Sequence, residues 1–145
     1  METKINWLKA IVAGVLGTVA FDLAGFVLLG QWWDIPGIIG QKTELGLAFG
    51  VIGHYANGIL LAVIYAGVAP SLWGPNWARA LTFTTAETIA LVWLFMLPLL
   101  GAGIAGTKLG PLVPLITLTR HWLYAIPLIL ILHPETFKTH VTASK

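Results

Sequence analysis

No cysteine occurs in the chain, which excludes disulfides, thiolate ligands and cysteine nucleophiles without fixing the redox compartment. Charge is nearly as scarce: 10% of the 145 residues are Asp, Glu, Lys or Arg. A soluble domain carries about 25%. With eight Lys and Arg against six Asp and Glu, the formal net charge is only +2, and no basic stripe of the kind that binds nucleic acid is present. No serine-based nucleophile motif and no HExxH sequence supports an enzyme, including one acting on a lipid or a quinone. No lipidation signal is evident either. Long apolar runs dominate instead: 57% of residues are hydrophobic and the mean hydropathy is +0.85. The composition predicts an integral membrane protein whose solvent is the lipid bilayer, and the length predicts one membrane domain over residues 1–145.

Four apolar segments are predicted as membrane-spanning helices, at about 7–29, 45–68, 77–100 and 112–132, before a polar tail at 133–145. The expected fold is all-α, an antiparallel up-down-up-down four-helix bundle. The charged start Met1–Lys9 resembles the opening of a signal peptide. The apolar run behind it is too long for a signal h-region, and Gly30-Gln31-Trp32-Trp33 is a poor cleavage site, so the run reads as a retained first helix. Trp7 and Trp32/Trp33 read as interfacial anchors. Asp34–Gly40 reads as a turn or a shallow re-entrant piece. Pro98 is expected to bend or end the third helix, and Pro127 to kink the fourth.

Gly101-Ala102-Gly103-Ile104-Ala105-Gly106 formally matches G-x-G-x-x-G. It follows a hydrophobic helix rather than a strand, so it reads as an interhelical loop and not as a dinucleotide fingerprint. Lys4, Lys9, Arg79, Lys138 and Lys145 fall on one predicted side of the membrane, against Lys42 and Lys108 on the other. The positive-inside rule then puts both termini in the cytoplasm.

The polar residues inside the apolar runs carry the functional question. An ionisable group there is costly unless it faces protein or water. Thr117, Arg120, His121 and Tyr124 follow i, i+3, i+4, i+7 on one face of the fourth helix. In the second, Gly46, Gly50, His54 and Gly58 recur every four residues, with Asn57 beside them. Ala10, Gly14, Gly17 and Thr18 form a small-residue face on the first helix that Asp22 continues, and Glu87 lies in the third. At 1.5 Å per residue, Asp22, His54 and His121 all fall about 12 Å from the same membrane face, with Glu87 somewhat deeper. A buried cluster of Asp22, His54, Asn57, Glu87, Thr117, Arg120, His121 and Tyr124 is expected. In it the fourth helix opposes the glycine face of the second, and Arg120 pairs with Asp22 or Glu87. His133 and His140 lie in the polar tail without an assigned role.

The chain also resembles an uncharacterised family of small four-helix bacterial membrane proteins. The resemblance rests on Gly14-x-x-Gly17-Thr18, on Gly53-His54, on Leu97-Pro98-Leu99-Leu100-Gly101-Ala102-Gly103 and on His121-Trp122-Leu123-Tyr124. Arg120 and Asp22 are not among the matched features. The family implies a bacterial membrane protein and no established activity; the bacterial cytoplasmic (inner) membrane is the expected location.

Three functional readings follow. The first is a non-enzymatic accessory or binding component, acting with a membrane-protein partner or as a homo-oligomer. The second is a cofactor protein, with His54 and His121 ligating haem b, or with these histidines, Asp22 and Glu87 holding a divalent metal. The third is proton or small-solute permeation through a relay of intramembrane carboxylates and imidazoles.

Overall fold

The computed structural model describes residues 5–133, and every regular element among them is helical. The predicted tail from 134 onward lies outside the described residues, as do Lys4, Lys138, His140 and Lys145. Among the described residues there are five helices: α1 (Trp7–Leu29), α2 (Asp34–Thr43), α3 (Gly46–Val68), α4 (Asn76–Leu99) and α5 (Val113–Leu132). A short 3₁₀ turn, Ala69–Ser71, prolongs α3. Four of the helices, all but α2, are long and apolar enough to cross a membrane.

Local chemistry explains the ends. The Asn6 side chain accepts the Lys9 backbone N–H and caps α1, satisfying one of its orphan donors. Gly30 closes α1 at φ 69°, a left-handed conformation that glycine adopts without a steric cost. α2 corrects the reading of Asp34–Gly40 as a turn or re-entrant piece. Pro36 falls in its first turn, where a missing N–H costs nothing, and the helix continues to Thr43. Trp33 and Glu44 bracket it, each at φ 59°. α4 widens after Glu87 into a π-helical run, Thr88–Met96, in which the Leu97 N–H reaches the Val92 carbonyl five residues back. It ends one residue past Pro98, as that proline predicts. The glycine-rich stretch from Gly101 to Gly106 is a loop closed by a 3₁₀ turn, Ile104–Gly106.

α1 packs on both α3 and α5, α4 packs on α5, and α2 lies against α3. This corrects the expectation that the fourth spanning helix would oppose the glycine face of the second. Gly50 instead meets the Pro36 carbonyl of α2, and α1 takes the place beside α5. The interior is built from Ala13, Phe21, Ala62, Tyr65, Tyr124, Ala125 and Leu128, small residues interleaved with a few rings. Large apolar side chains such as Leu8, Val27, Ile52, Phe95 and Leu115 point outward. In water such a surface would be a liability; against lipid tails it is the expected exterior.

Two indole N–H groups join α4 to α5: Trp93 donates to Thr117 Oγ1 at 2.8 Å and Trp122 to Thr85 Oγ1 at 2.9 Å. At another point of the bundle, Tyr65 hydrogen-bonds His133 at 3.0 Å and connects α3 to the end of α5. His133, which the sequence places at the start of the polar tail, is thus packed against the bundle.

Candidate functional site

The α1 face presents Phe21 and Asp22 to α3 and α5, and the charged groups collect around the Phe21 ring. Phe21 lies 5.5 Å from the His54 ring and 4.9 Å from the His121 ring, centroid to centroid, and the Arg120 guanidinium carbon stands 4.0 Å from its centre. An aromatic face stabilises a cation, more so where water is scarce.

Three acid–base pairs surround this ring. His54 Nε2 contacts Asp22 Oδ1 at 2.9 Å, joining α3 to α1. His121 Nε2 faces Glu87 Oε2 at 3.5 Å, joining α5 to α4. Arg120 takes Asp34 in a two-pronged bond, Nη1 to Oδ2 at 2.6 Å and Nη2 to Oδ1 at 2.8 Å, while its Nε donates to the Phe21 carbonyl at 3.2 Å. The expected Arg120 partner, Asp22 or Glu87, is therefore corrected to Asp34. The reason is that α2 folds its first residue back over the cluster, and a carboxylate fits the planar fork of a guanidinium best edge to edge. Asp22 and Glu87 are left for the two imidazoles.

Of the other expected members, Tyr124 is buried and its hydroxyl donates to the Gly58 carbonyl at 2.6 Å. Thr117 is half-buried; it accepts from Trp93, donates to the Pro114 carbonyl and lends its own carbonyl to His121 Nδ1 at 2.7 Å. Asn57 does not belong to the cluster: it is exposed on the outer side of α3. It follows His54 by three residues, but the His54 and Gly58 side of the helix faces α1, and Asn57 has already turned past it. Because Gly58 cannot offer a side chain, the Tyr124 bond closes on its backbone. Replacing Tyr124 by Phe is expected to cost about 1 kcal/mol of stability, measured as a lower unfolding midpoint with unchanged helix content.

Asp34 and Phe21 were not foreseen as site residues. A charge ledger points to Asp34: Arg120 needs one anion, two histidines already compete for Asp22 and Glu87, and Asp34 is the next acid beyond α1. Phe21 carries no such signal, since a phenylalanine beside Asp22 reads as ordinary packing. One atom in the cluster stands alone: Asp22 Oδ2 is buried without a hydrogen-bond partner. Tyr55 packs edge-on against His54, with ring centroids 5.9 Å apart.

The donor set does not fit a haem ligated by His54 and His121. Each Nε2 is turned toward a carboxylate, and the Phe21 ring packs on both imidazoles where an open slot for a macrocycle would be needed. Nor do three or more His, Asp or Glu side chains converge as a metal site among the described residues. No known protein family, no curated protein and no solved structure matches the chain. Its geometry is the ground for a functional reading.

Proposed function

We propose that the chain is a non-enzymatic accessory or binding component of the bacterial cytoplasmic (inner) membrane, akin to the small four-helix family that its motifs resemble. Its four spans alternate in direction, and both termini lie in the cytoplasm. Contact order supports the alternation. Gly17 meets Tyr124 while Gly25 meets Arg120, and Thr85 bonds Trp122 while Trp93 bonds Thr117, so numbers rise on one helix as they fall on its neighbour. Lys9 and Arg79 then share one side and Lys42 and Lys108 the other, among the described residues. The partner is a membrane protein or a second copy of the chain.

One observation carries this reading: the charged side chains of the cluster are paired with one another, as Arg120 with Asp34, His54 with Asp22 and His121 with Glu87. A cluster closed in this way ties α1 through α5 into one rigid unit and offers no vacant position for a haem or a metal ion. The protein, purified under conditions that retain cofactors, is expected to be colourless and free of stoichiometric metal. His54→Ala and His121→Ala are each expected to lower the unfolding midpoint without a spectral change. A Soret band lost in both variants would overturn the reading in favour of a haem site.

A further inference from the structure

We propose that Glu87 and His121 form a binding site for one exchangeable proton, held between Glu87 Oε2 and His121 Nε2. This rests on the internally paired cluster described above and names what one of its pairs takes up and releases.

The argument begins at the other ring nitrogen. His121 Nδ1 lies 2.7 Å from the Thr117 carbonyl oxygen. A carbonyl only accepts, so Nδ1 carries a hydrogen. A neutral imidazole has just one N–H, and Nε2 is then a bare lone pair. That lone pair faces Glu87 Oε2 at 3.5 Å. Two acceptors facing each other away from water are repulsive, and more so if the carboxyl is ionised. A bridging water cannot relieve the contact, because with about 2.8 Å to each partner it would hold them roughly 4.5–5.5 Å apart. A proton is the ligand that fits the gap.

With that proton in place the pair is either a carboxylic acid bonded to a neutral imidazole or a carboxylate bonded to an imidazolium. The two forms interconvert by moving the proton along Oε2···Nε2, and both have zero net charge. Releasing the proton leaves a carboxylate against a neutral ring and one net negative charge. The groups facing the pair are matched among themselves: Asp22 of α1 with His54 of α3, and Asp34 of α2 with Arg120 of α5. Tyr55 of α3 packs edge-on against His54, and Tyr124 of α5 donates to Gly58. From α4, Thr84 and Thr88 donate to carbonyls of their own helix. Among the described residues, each cation beside the pair is thus already matched to an anion of its own. The wide π-helical turn starts directly after Glu87, a feature often found at functional positions.

Glu87→Gln separates this proposal from a purely structural role. The glutamine amide can donate a hydrogen bond to Nε2 in the same space, so the fold is kept while the titratable proton is removed. The full chain, labelled with ¹⁵N-histidine and placed in lipid nanodiscs, is titrated from acid to alkaline pH. His121 signals are assigned from their loss in His121→Gln. In the wild type, Nδ1 is expected to stay protonated while Nε2 changes with pH, accompanied by an infrared carboxyl change that Asp22→Asn retains and Glu87→Gln abolishes. In Glu87→Gln the Nε2 signal is expected not to follow that titration. Identical His121 titrations in wild type and Glu87→Gln, or no titration in the wild type, would overturn the proposal. The paired-cluster reading stands or falls separately, on the stability of the variants that break Arg120–Asp34 and His54–Asp22.

Discussion

Arg120→Met is expected to destabilise the folded protein by about 3–5 kcal/mol, the cost of stranding one half of a buried ion pair. The Arg120 and Asp34 side chains are only 2% and 12% exposed, and both prongs of the bond are short. Without the guanidinium, the Asp34 carboxylate loses its cation, and the Phe21 ring loses the charge above it. Asp34→Leu should cost a comparable amount, because Arg120 then keeps one carbonyl and an aromatic face as its support. The double variant Arg120→Met/Asp34→Leu is expected to recover most of the loss, since a buried ion pair replaced by apolar groups of similar size is often neutral. Unfolding in a graded denaturing detergent measures all three. The single variants should also expose α2 to proteolysis within 34–43, because the ion pair holds its first residue over the cluster. Singles near wild-type stability, or a double variant as unstable as their sum, would mean that the pair does not clamp α2.

The contrast between α2 and the spanning helices shows what the sequence made legible. Each spanning segment announces itself by a predominantly apolar run of the length needed to cross a bilayer, and the ends of α1 coincide with the predicted 7–29. Asp22, His54, Glu87, Arg120 and His121 stood out because a polar group inside such a run has few explanations. Their partners did not. Pairing depends on which helices are neighbours, and four apolar cylinders of similar length can be arranged in several ways with the same pattern. The glycine spacing of α3 was read as a face for the last helix. In the structure Gly50 is used by α2, while Gly58 takes the approach of Thr18 from α1. α2 itself was hidden by Pro36, Gly37 and Gly40, residues that argue against a helix unless tertiary contacts hold it. Asn57 shows the reverse error. Three residues on from His54 is a helical neighbour by count, yet the packed stripe of α3 is too narrow to include it.

That narrowness makes Gly14 a position on α1 where a single added methyl group is expected to do great harm. A Cβ on Gly14 would lie 2.6 Å from the Ile59 Cα and 2.9 Å from the Gly58 carbonyl oxygen. These are backbone atoms of α3, which cannot rotate away as a side chain could, so α1 and α3 must separate. Separation loosens three interactions around that interface. They are the seating of Thr18 on Gly58, the 2.6 Å bond from Tyr124 to the Gly58 carbonyl, and the 2.9 Å contact of His54 with Asp22. Overpacking of this kind costs about 1–3 kcal/mol, and Gly14→Ala is expected near the top of that range because no flexible neighbour yields. Gly37→Ala is the control: nothing lies within 4 Å of its added Cβ, and alanine favours a helix over glycine by up to about 1 kcal/mol. It should leave stability unchanged or raise it slightly. Equal unfolding midpoints for Gly14→Ala and the wild type would show that α1 and α3 do not pack backbone to backbone. The His54–Asp22 pair would then have to be held in register by some other contact.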